Sequence, residues 1–487
     1  MAGRTFGDMA NGREEKRKLP ESHPLVPANL PSANYPPGHV AVSPFRSLTE
    51  PLVEDLSHAS RKYLSYFASD VCKDFVLYDS SNHNHFRELI PLTRQYPVLF
   101  HIIIAISALH MWNASQNASI WDASAFSRRR QTDQLSSVCS SFPTVLQSES
   151  YHHALAAKQR ALSLLKTAIS NIASADLDVT LAVVLLFIEF ELIDSGRDHW
   201  KYHIKGARTM IEKLAGINLM TQTAMSPLRR SLISNCLVFD IIGSALSSPN
   251  DHGFPRGKLP AGNLSLLQDA EGNHCSSFPA CLLQLLRSGS ALSCPDNPAS
   301  SPLQPSIGAR QQHGLFLLSA ARDFDPLSWA ANVQPHSPAS DLQHRSHIAS
   351  AHRAGVLIYL SRVLLSLCPT THVSDDLESL VGDIVTHLSL IPKSHALFKA
   401  AAWPAFIAGA ETNDRDRQAW VIKTFEDLWD VEPWGLIKGA LGVLERIWSS
   451  RMSEVVDGGG GIVHHGKQKH GGWVEELRGR GVDWLVI

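Results

Sequence analysis

The run YPVLFHIIIAISALHMW, Tyr96 to Trp112, is the strongest single constraint on how this chain can fold. Its apolar part, Val98 to Trp112, is 15 residues long and includes His101 and His110. A membrane-spanning helix needs about 20 consecutive apolar residues. A second run, VTLAVVLLFIEFELI from Val179 to Ile193, is equally short and carries Glu189 and Glu191. Both read as buried helices of a soluble protein, and no membrane contact is expected. The chain has 487 residues, enough to build a large core around them.

The surrounding patterns are helical too. In DHWKYHIKGARTMIEKLAGI, Trp200, Ile204, Ala207, Ile211 and Leu214 recur at steps of four, three, four and three, one face of an amphipathic helix. ESYHHALAAKQRALSLLKTAISNI shows a similar stripe through Ala154, Leu155, Ala161, Leu162, Leu165 and Ile169. Further helices are expected at LRRSLISNCLVFDIIGSALSS, FPACLLQLL, SIGARQQHGLFLLSAARDF, SHIASAHRAGVLIYLSRVLLSLC, DDLESLVGDIVTHLSL, AAWPAFIAGAE, RDRQAWVIKTFEDLWDV and LIKGALGVLERIWSSRM. Residues 250–312 otherwise read as loops. No alternating strand pattern occurs, so the expected fold is all-α, with roughly a dozen helices.

Residues 1–48 are rich in Pro, polar and charged residues without periodicity and read as disordered. The helical domain is expected over 49–457. Residues 458–487, opening on GGGG, read as a Gly/His-rich tail. Both ends are expected to be dispensable for folding. The N-terminus offers no apolar run, so no signal peptide is expected.

Chemistry-bearing motifs are sparse. There is no G-x-S-x-G elbow, no phosphate loop and no dinucleotide fingerprint, so no enzyme activity and no cofactor are expected. His101 and His110 are nine residues apart, about 180° around a helix, and cannot share a ligand face. His199 and His203 can, but Trp200 stands where a metalloprotease helix needs glutamate. His274, Cys275, Cys281 and Cys294 lack the short pairings of structural zinc sites. His464, His465 and His470 sit in the Gly-rich tail. No metal site is expected. The net charge of -2 gives no global attraction to nucleic acid. Two short basic segments remain: Arg13, Lys16, Arg17 and Lys18 in GREEKRK, a nuclear-import candidate, and Arg128 to Arg130, which read as a solvated loop.

Several blocks together resemble the fungal-specific transcription factor domain, the helical regulatory region of fungal binuclear zinc-cluster regulators. They are NHNHFRELIPLTRQYPVLFHIIIAISALHMW, YHHALAAKQRALSLLKTAI, LAVVLLFIEFELIDSGRDHWKYHIKGARTMI, AHRAGVLIYLSRVL, AAWPAFIAGAE and LGVLERIWSSRM, in family order from roughly residue 50 to 455. The resemblance implies a nuclear transcriptional regulator. It places Gly206 at a close helix contact and makes Trp403 and Trp448 packing anchors. A small-molecule effector, a protein partner or a homodimer would be its working contacts.

One feature of the family is missing. Its DNA reader is a six-cysteine zinc cluster, and no cysteine precedes Cys72. Either the gene model is truncated or the member has no cluster. DNA-binding residues are unknown, and DNA is expected to be reached only indirectly. The alternative is an interaction protein or inhibitor that pairs with a full-length relative; an all-α enzyme is the least supported reading.

Overall fold

Tyr96 is extended and Pro97 opens the helix behind it, where a missing N–H costs nothing. The helix runs Pro97–Ala114 and buries twelve of its side chains, on every side. A computed structural model describes residues 54–80, 83–116, 144–170, 177–221, 225–247, 263–293, 306–373, 375–457, 472–479 and 481–487. Numbering helices of eight residues or more, these are α1 (His58–Tyr66), α2 (Pro97–Ala114), α3 (Thr144–Ser170), α4 (Leu177–Asp194), α5 (Trp200–Thr221), α6 (Pro227–Leu246), α7 (Asn263–Glu271) and α8 (Ala280–Leu292). They continue as α9 (Ile307–Asp323), α10 (Pro326–Val333), α11 (Leu342–Leu367), α12 (Leu377–Ser389), α13 (Ala402–Glu411), α14 (Arg415–Val431), α15 (Gly435–Asp457) and α16 (Gly472–Gly479). The protein is all-α; two isolated bridges, Val76–His274 and Arg197–Trp484, are the extended pairings among the described residues.

Two largely buried helices organise the core. α4 packs on α2, α5, α6 and α15, and α11 packs on α8, α9, α10, α12, α13 and α16. α2 and α11 are long and apolar enough to cross a membrane by length and composition, but both are largely enclosed by other helices. All these described residues lie in one unit, Pro51–Ile487; the other unit, Met1–Glu50, lies outside them.

The Trp200 stripe is as its spacing demands: Trp200, Ile204, Ala207, Ile211 and Leu214 are all buried. The α3 stripe is only half right. Ala154, Ala161 and Leu165 are buried, whereas Leu155, Leu162 and Ile169 are 41%, 40% and 49% exposed. Their seven-residue spacing keeps them on one line that faces outward. α7 falls where a loop was expected and α10 in a stretch given no element, and Ser226, Asp325 and Asp376 supply side-chain caps at helix starts.

The expected tight contact at Gly206 is a correction. A Cβ at Gly206 would meet nothing within 4 Å, whereas one at Gly243 on α6 would lie 2.3 Å from Trp200 Cη2. The small residue against the tryptophan belongs to the partner helix, a pairing that a single-helix pattern cannot show. Gly243→Ala is expected to cost about 1–3 kcal/mol through overpacking. Gly206→Ala, in a helix interior, is expected to be neutral or to gain up to about 1 kcal/mol. Thermal unfolding of the two variants separates them; the larger loss at Gly206 would contradict this packing.

The tail boundary at 458 is also corrected. α16 and the residues after it pack into the core: Trp473, Val474, Leu477, Trp484, Leu485, Val486 and Ile487 are all buried. Gly196 holds φ +69, and Leu485 N–H donates to its carbonyl at 2.9 Å. Asp198 and Asp483 exchange two further bonds, and Lys201 pairs with Asp483 at 2.7 Å.

Candidate functional site

The turn GNHCSSFP between α7 and α8 has little regular structure to hold it, so side chains do so. The Asn273 amide donates to the carbonyls of Tyr78 and His83, and its oxygen accepts from Tyr78 N–H at 2.8 Å. Leu77 N–H donates to Asn273 O at 3.0 Å. From below, the fully buried Arg345 of α11 donates to the carbonyls of Glu271 and Gly272 and to Ser277 Oγ. Its charge is matched by Asp341, also fully buried, at 2.7 Å; Asp341 in turn accepts from Tyr78 Oη at 2.5 Å. Arg345 thereby ties together the segment after α1, the α7–α8 turn and the start of α11.

Above this clamp lies an open cleft of about 910 Å³. One wall is Phe75, Val76 and Phe86; a second is Arg230, Ser234 and Asn235 of α6 with Asp269 and Glu271 of α7; a third is Trp329, Asn332 and Val333 of α10. The size and the mix of apolar and polar groups suit a drug-sized molecule. His274 also lines it. Ser276 N–H donates to His274 Nδ1 at 3.1 Å, so the neutral ring carries its proton on Nε2, and that atom has no partner. Burial pushes the imidazole down to about 3. Glu271 Oε1 accepts from Ala280 N–H at 2.7 Å, capping α8, and from Trp329 Nε1–H at 2.8 Å. Burial raises its carboxyl above the usual range, opposed by those two bonds and by Arg345.

A second polar group lies deeper in the core. His110 Nε2 is 2.9 Å from Asp74 Oδ2, and its Nδ1 is 3.0 Å from Tyr66 Oη, all largely enclosed. His110 is therefore a satisfied core histidine. Lys399 reaches Asp74 at 3.4 Å. Glu189 and Glu432 are buried, and each has an oxygen without a partner. Burial lifts Glu189 well above its ordinary range, with the Glu432 charge adding. Glu432 is raised to about 8 by burial, against Lys399 and with Asp74. The folded state thus holds a proton on Glu432 that the unfolded chain releases near 4.5. That stabilisation is complete below the unfolded value and is lost as pH rises through the folded one. Glu432→Gln is expected to match wild type near pH 4.5 and to exceed it by roughly 4 kcal/mol at pH 8. Urea unfolding at both pH values measures this; curves that stay parallel would contradict it.

The other residues singled out by sequence fall as follows. His199 and His203 both face Glu191, at 3.8 and 3.5 Å, and Lys158 pairs with the same carboxylate at 2.8 Å. Cys275 is buried and Cys281 is exposed on the cleft wall. No group of three or more metal-ligating side chains occurs among the described residues. Arg13, Lys16, Arg17, Lys18, Arg128 to Arg130, Cys294, His464, His465 and His470 lie outside the described residues. Glu271, Trp329 and Arg345 carry no local motif; only their convergence from distant elements marks them.

The fungal specific transcription factor domain matches residues 62–487, which takes in α16 and the C-terminal residues. The acriflavine sensitivity control protein acr-2 of Neurospora crassa is 31% identical over 452 residues, covering 90% of this chain and 69% of the relative. No solved structure matches the chain. The order of the helical blocks, the packing around the two buried central helices and the extent of the match lead to one assignment: the chain belongs to the fungal-specific transcription factor domain family.

Proposed function

We propose that this chain is a nuclear transcriptional regulator, not an enzyme, whose helical body turns small-molecule binding into a change in transcription. The observation that carries the reading is the family match along nearly the whole helical body, from within α1 to the C-terminal residue. The name of the Neurospora relative ties that protein to acriflavine sensitivity. Tolerance of a toxic compound is accordingly the response we propose here. The cleft between α6, α7 and α10 is the proposed effector site, and a protein partner or second copy brings the chain to its promoters. Specific DNA binding requires several phosphate contacts plus base contacts; the basic segment at Arg13 to Lys18 is assigned to nuclear import instead.

The test is a fusion of the full chain to an unrelated DNA-binding module beside a matching reporter. Reporter output is expected to change, and to change again when a toxic compound is added. A fusion that is nuclear, folded and silent under every condition would move the assignment to an interaction protein or inhibitor.

A further inference from the structure

The two oxygens of Glu271 are used differently. Oε1 takes both protein hydrogen bonds, from Ala280 N–H and Trp329 Nε1–H. Oε2 takes neither, and it is not among the orphaned oxygens sealed from solvent, as those of Glu189 and Glu432 are. The cations nearby form their ion pairs elsewhere, Arg230 with Asp269 at 2.7 Å and Arg345 with Asp341; Arg345 meets Glu271 only at its backbone carbonyl and acts on the carboxylate from a distance. His85, also on the cleft, meets Glu88 at 2.6 Å. Glu271 is thus a half-buried carboxylate with an open edge and no ion-pair partner. It also ends α7, where the helix dipole is negative.

The charged form of such a group is best stabilised by an opposite charge. The walls beside it are aromatic and apolar, with Trp329, Phe75, Phe86 and Val333. Aromatic rings favour cations over anions. An anion placed against this oxygen would face the unpaired charge of Glu271, since Asp269 is already matched by Arg230.

We infer that the cleft is a receptor for organic cations with a flat apolar body, whose charged N–H group binds Glu271 Oε2. This deepens the effector reading above, and its biological meaning rests on that reading.

The test uses the purified full chain and three fluorescent ring systems of one size: cationic 9-aminoacridine, neutral acridine and anionic anthracene-9-carboxylate. The cation is expected to bind one per chain, at least about tenfold more tightly than the neutral ring, and the anion weakest of all. Glu271→Gln keeps an oxygen for Ala280 and Trp329 and removes the charge. It is expected to lose about tenfold or more in affinity for the cation, with the neutral ring and the melting curve unchanged. Asn332→Arg, at an exposed position on the rim, adds a like charge without touching the Glu271 bonds. It is expected to weaken the cation and strengthen the anion. Equal binding of all three rings, or cation binding indifferent to both substitutions, would overturn the inference. A reporter that still responds to toxic compounds while the purified cleft ignores charge removes this inference and leaves the regulatory reading. Cation binding beside a silent reporter does the reverse.

Discussion

Truncation after Asp457 is expected to leave the chain without a cooperative unfolding transition. The removed piece contributes Trp473, Val474, Leu477, Trp484, Leu485, Val486 and Ile487 to the core. At about 1.5–3 kcal/mol for each large apolar side chain, gross burial is on the order of 10 kcal/mol, comparable to the whole stability of a domain. Buried polar groups would each lose one partner as well. Glu411 would lose the Trp473 indole N–H at 2.9 Å, keeping its pairing with Arg362. Tyr359 Oη and the Ala245 carbonyl would lose the buried guanidinium of Arg478, at 2.7 and 2.8 Å. Full-length and truncated chains compared by circular dichroism during heating give the answer. Trp473→Ala alone is expected to cost about 3–5 kcal/mol, so the effect is readable even if the truncated chain is insoluble. A truncated chain that melts like the full one would show that the C-terminal segment only decorates the surface.

Arg345→Met should be the most damaging single substitution in the clamp beneath the cleft, at about 3–5 kcal/mol. Both partners of the ion pair are fully buried, so removing the arginine leaves the Asp341 carboxylate charged and enclosed. Ser277 Oγ and the carbonyls of Glu271 and Gly272 lose their donor at the same time. Tyr78→Phe removes one of the bonds to Asp341 and should cost only about 1–3 kcal/mol. Urea denaturation of the two variants gives the ratio. A loss at Arg345 no greater than at Tyr78 would contradict a clamp centred on the arginine. If the clamp also shapes the cleft, the destabilised Arg345 variant will lose ligand binding even at temperatures where it remains folded.

What the amino-acid order reveals here follows the range of the interactions. The Trp200 stripe was legible because helix periodicity is local, and AAWPAFIAGAE was legible because Trp403, at 0% exposure, and Pro404 mark a buried helix start. Leu155, Leu162 and Ile169 misled because an apolar stripe does not say how much of its width a neighbour covers. The C-terminal segment was hidden by GGGG and the histidines before it, although GWVEELRG repeats apolar residues at helical spacing and DWLVI ends in an apolar run. The cleft could not be read at all. Its walls come from a segment before α2, from α6, from α7 inside a stretch that looks like a loop, and from α10, which no pattern in the sequence marked. Glu271 and Arg345 are 74 positions apart, and only folding brings them together. Glu189 and Glu191 served the sequence argument against a membrane span. Folding buries both: Glu191 meets Lys158, whereas Glu189 keeps an unpartnered oxygen.

The central claim, that this helical body regulates transcription, is tested most directly by depleting the protein rapidly in its fungal host and sequencing nascent RNA within minutes. A defined set of transcripts is expected to rise or fall at once, and the same set to respond when cells receive a toxic organic cation. Nascent transcription that stays unchanged after depletion, with and without the compound, would contradict the account.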